Sequence, residues 1–574
     1  MSWQKFAWFL LAVIVVLTLN SAGIMTSLGG DELYHADQAS LGLRCLELLW
    51  KVVPAWSWLK LRPIPEIVGE LNLAFTLGGL VAYYLLRRIT RAMSPWLFYP
   101  ILFAVLNLLC YIVSFLGPRL EVHPPLRLLP FFAGQLIFGF DDLSFRLAPI
   151  LIVSSMLAAT GIYVAARSKR WPLGCATVLA AGSIPSVAHV AGIVEPSVWA
   201  FCAWLGTYLI LQPEIELSRQ EREERLIYCG LWVGFFALAR QTSIVIWPVL
   251  GLYLLLWRAS PRTWILTLLP GLFFLPTLYT MKQLNHVAAQ GASMFQNILS
   301  SIVTGRGFQA IFQALTPIWI FCLFLLVAWH LWRFRSNLRT WPFVFGLIPA
   351  YLLYFSIWDY LWGLGRYHAE YGGGILVILL ASAVPSIRGR WVYAVAACLF
   401  FYGLWTMRNL WQDVGYQQWP DRRITTESTY PYREALGFLK RQNIEGRIAF
   451  FGGVPVNGEM FLYLRGLTHD DIQNFRTIQS ALASRQTDIK TSDDLMRVLH
   501  DLGVRWIMIQ SGEKREIQHR TAEQSRLIRL VEDHVLRADT EVRPQLFSFW
   551  GRYEGAIHLV PLLDTRSEGL PGVL

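Results

Sequence analysis

EVHPPLRLLPFFAGQLIFGFDDLSFRLAP, residues 121–149, holds the three kinds of segment that decide the fold. Glu121 and His123 stand ahead of the Pro124–Pro125 pair, which stiffens the chain. The next piece, RLLPFFAGQLIFGF (127–140), is apolar but short and broken by Pro and Gly. It cannot cross about 30 Å of hydrocarbon and reads as a helix lying at the interface. Asp141, Asp142 and Arg146 then open FRLAPILIVSSMLAATGIYVAA (145–166), which is long enough to span. Ionisable groups beside hydrocarbon are costly without a partner or a task. Arg146 is expected to pair with Asp141 or Asp142, a structural role.

Outward from this stretch, similar apolar runs recur near 6–26, 67–86, 96–116, 172–191, 196–213, 226–239, 242–257, 263–281, 310–332, 342–358, 372–387 and 391–407. With 145–166 they make about thirteen spans, the two around Arg240 being shorter than the roughly 20 residues a spanning helix usually needs. Composition agrees. Of 574 residues 55% are hydrophobic and only 16% charged, with mean hydropathy +0.42, against roughly 25% charged in soluble domains. A purely soluble or disordered chain is excluded. The net charge of +11 lies wholly before residue 408, because 408–574 holds 22 basic and 22 acidic residues. Such a bias reads as positive-inside topology rather than nucleic-acid binding.

With Lys5 in the cytoplasm, alternation places Arg87, Arg88 and Arg91, Arg167, Lys169 and Arg170, Arg219, Arg222 and Arg225, Arg258 and Arg262, Arg333, Arg335 and Arg339, and Arg388 and Arg390 on the same side. Of 17 acidic residues before 408, only the 214–224 cluster joins them, and 12 face outside. The first span reads as an uncleaved anchor. The predicted architecture is an α-helical polytopic membrane protein, with a transmembrane domain over 1–407 whose outer loops are 27–66, 117–144 and 282–309. After it comes a periplasmic α/β domain over 408–574, signalled by PYREALGFLKRQ (431–442), RIAFFGG (447–453), SDDLMRVLHDLG (492–503) and VRWIMI (504–509). Cys45, Cys110, Cys175, Cys202, Cys229, Cys322 and Cys398 have no metal-ligand or disulfide spacing and are expected as small core residues.

Five polar clusters fall at the predicted outer edge. The first is GGDELYHADQ (29–38), in which Asp31 and Glu32 could accept a proton from an acceptor hydroxyl or hold a cation. The second is 121–149. In HVAGIVEPSVWAF (189–201), Glu195 precedes Pro196, where helix capping is an equal reading. In FALARQTSIVIWP (236–248), Arg240 interrupts an apolar run; its guanidinium suits an anion such as phosphate, with snorkelling as the alternative. WDYLWGLGRYHAEYGGG (358–374) brings Asp359, Arg366, Tyr367, His368, Glu370 and Tyr371, a mixture suited to sugar and phosphate or to an aromatic belt.

The HPPL string, the interfacial helix ending in FG and the RLAP that opens a span resemble the multispanning GT-C glycosyltransferases, nearest to the protein O-mannosyltransferase and aminoarabinose transferase group. The acidic pair after span one, Glu195–Pro196, ARQT, RYH and a terminal α/β domain are similar to that group as well. The resemblance implies an inverting glycosyltransferase of the bacterial inner membrane. It would move a sugar from a polyprenyl-phosphate carrier to a lipid, glycan or protein acceptor at the periplasmic face. It implies Asp31 as catalytic base with Glu32 beside it, Arg240 and Arg366 on the donor phosphate, and Glu195 and His123 at the sugar or acceptor, with Tyr367 and His368 on the donor. In the family the first-loop acids and the Pro-containing segment share one loop. Here about ninety residues and two spans separate Asp31 from HPPL, so Glu121 stands as the alternative base. No cofactor is expected, although a carboxylate pair can bind Mg²⁺ or Mn²⁺. The competing readings are a transporter or flippase of a lipid-linked sugar and a lipid-linked oligosaccharide polymerase or ligase.

Overall fold

The computed structural model describes residues 3–21, 142–192, 197–237, 239–280, 316–335, 372–412, 447–451, 488–512 and 555–561, with scattered positions at 98, 131, 134, 137, 337, 340–343, 345–346, 481–482, 484–485, 526–527 and 529–531. The chain divides into two compact units. The helical unit contains α1 (Trp3–Leu19), α2 (Asp142–Ser168), α3 (Trp171–Gly182), α4 (Pro185–Gly192), α5 (Ser197–Leu211) and α6 (Arg219–Ala237). A 3-10 turn, Gln241–Ile246, leads into α7 (Trp247–Leu256) and α8 (Pro261–Thr280). It also holds α9 (Pro317–Arg333), α10 (Gly374–Ala383) and α11 (Trp391–Gln412).

The surface of this unit is what a bilayer selects. On α1, Trp3, Phe6, Leu10 and Ile14 recur at helical spacing and are 87%, 45%, 47% and 53% exposed, while Ala12, Val15, Val16 and Leu19 pack inward. α9 exposes Ile318, Phe321, Phe324, Leu325 and Trp332, and α11 exposes Trp391, Val395, Phe401 and Trp405. Continuous apolar stripes of this kind exceed what a soluble surface carries. Inside lie buried Asn20, Thr160, Thr177, Thr207 and Ser382, each threonine named here bonding a carbonyl one turn back, as a low-dielectric interior requires. Among the described residues, Phe145–Ser168 is long and apolar enough to cross a membrane in its 24 residues, and so are α3 and α4 taken together as a bent pair. The thirteen-span count extends to residues outside those described.

Small residues set the helix packing. A β-carbon at Gly161 of α2 would come within 2.7 Å of Val178 and 2.9 Å of Trp8, so α1, α2 and α3 close on one another there. Gly182 meets Val15 in the same seam, at 2.8 Å from its would-be β-carbon. On α5, Gly206 lies under the indole of Trp232, whose Nε1 donates to the Cys202 carbonyl at 3.1 Å. Gly230 of α6 lies against the backbone of Thr267 in α8. Close backbone approach replaces the hydrophobic driving force that lipid cannot supply.

Two expectations need correction. The run 172–191 is not one straight span but α3 and α4, bent by 75°. Gly182 and Ser183 end α3, the Ser183 hydroxyl bonds the Ala180 carbonyl at 2.8 Å, and Pro185 opens α4; proline has no amide to continue the ladder. Cys398 is exposed on α11, not a core residue. Cys202 and Cys229 are buried and Cys175 and Cys322 half-buried, whereas Cys45 and Cys110 lie outside the described residues.

In the second unit β1 (Arg447–Phe451) pairs parallel with β2 (Val504–Gly512), and β2 pairs antiparallel with β3 (Gly555–Pro561). Between β1 and β2 in sequence lies α12 (Ser492–Asp501), opened by a capping box of Thr491 and Asp494 and followed by Gly503 at φ 71°. Glycine there ends the helix without a β-carbon clash. Ala449, Phe451, Leu495, Leu499, Val504, Ile507, Leu527 and Val531 form the core. β1, α12 and β2 fall on the segments that the alternation of patterns marks; 431–442 lies outside the described residues.

Candidate functional site

Of the nine candidate site residues, Arg240 lies in the described part; Asp31, Glu32, Glu121, His123, Glu195, Arg366, Tyr367 and His368 lie outside it. Arg240 sits at a helix break rather than inside a span. α6 ends at Ala237, the Arg240 amide donates to the Phe236 carbonyl at 2.7 Å, and the Arg240 carbonyl accepts from Ser243 at 3.0 Å as the 3-10 turn begins. The side chain is 2% exposed, with Ala239, Thr242 and Ser243 also buried. Protein encloses the guanidinium, so the snorkelling alternative does not describe it. Backbone that leaves helix at membrane depth is tolerated where it is enclosed or lines a cavity.

The described segments that flank the polar clusters meet at one end of the helical unit. Asn20, at the exit of α1 toward the first cluster, donates through Nδ2 to the Ala188 carbonyl of α4 at 2.8 Å. α4 in turn leads to the third cluster. Gly373, at the exit of the fifth cluster, packs on the same helix; a β-carbon there would lie 2.8 Å from Val187 and 3.0 Å from Ser186 Oγ. Trp199, within the third cluster, has its ring 5.7 Å from that of Phe236, one turn before Arg240. Arg146 is fully buried in the first turns of α2. Its expected partners, Asp141 and the Asp142 side chain, lie outside the described residues. Phe131 in the second cluster is helical and buried while Ile137 is helical and 71% exposed. Among the described residues no group of three or more His, Cys, Asp or Glu is arranged to hold a metal.

The opposite end is a polar clamp that sequence reasoning left as a charged loop. Glu214, 1% exposed at its side chain, accepts from Tyr208 Oη at 2.7 Å and Tyr163 Oη at 3.0 Å, with Arg167 at 3.7 Å. This ties α2 to α5. Glu223 accepts from the Ser260 amide at 3.1 Å and from the Ser260 and Thr263 hydroxyls at 3.0 and 2.9 Å, tying α6 to the start of α8. Burial pushes the Glu223 carboxyl up, but the hydrogen bonds from Thr263 and Ser260 outweigh it and hold it below the usual carboxylate range. Arg225 donates to the Ile210 carbonyl and Gln212 Oε1, at 3.1 and 2.9 Å. The one sequence signal for the clamp is the Tyr163–Arg167 spacing, which puts both on one helix face.

No protein-family model and no curated protein matches the chain. Among solved structures it is similar to ArnT from Cupriavidus metallidurans. The apo form matches with 13% identity and a TM-score of 0.39, over 76% of this chain and 87% of that one. The form bound to undecaprenyl phosphate matches with 13% identity and a TM-score of 0.34, over 82% and 94%.

Proposed function

We propose that this chain is an inverting glycosyltransferase that moves a sugar from a polyprenyl-phosphate carrier to a lipid, glycan or protein acceptor at the periplasmic face of the bacterial inner membrane. The observation that carries the reading is the buried Arg240 at a helix break, one turn from the contact between Phe236 and Trp199 of the third cluster. That arrangement suits a lipid-phosphate donor, whose tail stays in hydrocarbon while its head enters the protein.

The chemistry is a single displacement. A carboxylate, Asp31 with Glu32 beside it or else Glu121, takes the proton from the acceptor hydroxyl. The freed oxygen attacks the anomeric carbon as the bond to phosphate oxygen breaks, and polyprenyl phosphate leaves with the electron pair. Arg240 and Arg366 oppose the charge that develops on that phosphate. His123, Glu195, Tyr367 and His368 shape the pocket for sugar or acceptor. The displacement uses no metal, and the segment 408–574 lies on the periplasmic side, where the alternation of predicted spans puts it.

The test is transfer by purified protein in detergent, supplied with polyprenyl-phosphate sugars and membrane acceptors, with Asp31→Asn and Glu121→Gln beside wild type. Loss of a general base costs roughly 10²–10⁴-fold. Full activity in Asp31→Asn with loss in Glu121→Gln moves the base to Glu121, and full activity in Asp31→Asn/Glu32→Gln and in Glu121→Gln removes the carboxylate mechanism.

A further inference from the structure

At the clamped end, the turn joining α2 to α3 and the turn joining α10 to α11 carry the same short pattern. Lys169 and Arg170 precede Trp171; Arg388 and Arg390 precede Trp391. The two turns are joined, because Arg170 Nη2 donates to Tyr393 Oη at 3.0 Å. α3 and α11 also pack closely, with a β-carbon at Gly403 falling 2.6 Å from that of Ser183. Neither ARSKRWPL (166–173) nor PSIRGRWVY (385–393) contains an acid. Lys169, Arg388 and Arg390 are exposed, and the two indoles are 70% and 60% exposed. None of these groups belongs to the site around Arg240.

Exposed tryptophans at the ends of lipid-facing helices mark the headgroup level. Cations held at the same depth meet the phosphates of an anionic leaflet, and clusters of four or more are the pattern that recognises such lipids. We infer that these two turns form a headgroup site for an anionic phospholipid. Lys169, Arg388 and Arg390 supply charge and donors to the phosphate. Tyr393 fixes Arg170 between the turns, and the two indoles set the depth. Both turns close helix pairs in the core of the unit, so an occupied site joins α2–α3 to α10–α11.

The test is retention of phosphatidylglycerol, measured by native mass spectrometry on full-length protein released from phosphatidylcholine nanodiscs with increasing phosphatidylglycerol. The variant Lys169→Gln/Arg388→Gln/Arg390→Gln is compared with Arg333→Gln/Arg335→Gln, which removes cations elsewhere at the same end. Each neutralised cation weakens binding about fivefold, so the triple variant retains the lipid roughly a hundredfold more weakly while the control stays near wild type. If the triple variant does not fold in phosphatidylcholine alone, Arg388→Gln and Arg390→Gln singly carry the test at about fivefold each. Wild-type retention in the triple or single variants overturns the site. So does equal loss in the control, which would make the attraction a diffuse property of the charged end.

Discussion

Removing the Glu214 carboxylate is the most informative perturbation of the fold. Its side chain is 1% exposed and accepts two tyrosine hydroxyls, at 2.7 and 3.0 Å, with Arg167 at 3.7 Å. Hydrogen bonds to a charged group contribute about 1.5–3 kcal/mol each. Breaking a buried ionic cluster from one side costs about 3–5 kcal/mol. Arg167 keeps 19% of its side chain in contact with solvent, so its Coulombic share is screened and the lower half of that range applies. Glu214→Ala is therefore expected to lose about 3–4 kcal/mol. Glu214→Gln keeps one acceptor oxygen for a tyrosine and is expected to lose about 1–2 kcal/mol. The assay is reversible unfolding in mixed micelles, with Tyr208→Phe included to close a double-mutant cycle. A coupling energy above about 1 kcal/mol between positions 208 and 214 is expected. Glu214→Ala within about 0.5 kcal/mol of wild type, the range of an ordinary surface change, would refute the clamp.

Gly206→Ala drives a methyl into the Trp232 indole, and overpacking of this kind costs about 1–3 kcal/mol, read by the same unfolding assay. Arg258 closes α7 at φ 48°; Arg258→Gly relieves that left-handed strain and should gain up to about 1 kcal/mol. In the second unit, the Thr491 side chain and the Thr491 and Lys490 amides, which donate to the Asp494 carboxylate, hold it below its ordinary value. Its contribution is thus present above the unfolded carboxylate pKa and lost as pH falls through the lower folded value. The circular-dichroism midpoint should decline with acid below about pH 4 more in wild type than in Asp494→Asn; equal slopes would count against the cap.

Where elements begin and end was largely readable from residue chemistry. Pro172, Pro248 and Pro317 stand in the first turns of α3, α7 and α9. Of the basic residues in the topology reading, Lys169, Arg170, Arg258, Arg388 and Arg390 stand in short turns, whereas Lys5, Arg167, Arg219, Arg222, Arg225, Arg262 and Arg333 stand within helices. What hydropathy alone misreads is the interior of a run. Residues 172–191 are uniformly apolar, so a window average passes over the bend that Gly182, Ser183 and Pro185 impose. The same averaging makes 226–239 and 242–257 look like two short spans, whereas α6 begins in polar sequence at Arg219 and the second run opens as a 3-10 turn. Arg240 is legible as an anomaly, and its burial at a helix break is not, because both depend on how the chain around it folds in three dimensions. The Glu214 clamp is hidden for the same reason: Tyr163, Tyr208 and Glu214 converge only in three dimensions. The acids and the RYH segment assigned to the reaction rest on sequence.

The measurement that bears most directly on the proposed reaction is release of polyprenyl phosphate from a polyprenyl-phosphate sugar by purified wild-type protein, with Arg240→Gln and Asp31→Asn run alongside. The account predicts turnover by wild type, a fall of roughly 10²–10³-fold when the charge opposing the leaving phosphate is removed at Arg240, and loss in Asp31→Asn. Folded wild-type protein that releases no carrier in the presence of membrane acceptors, or Arg240→Gln that releases it at the wild-type rate, would contradict it.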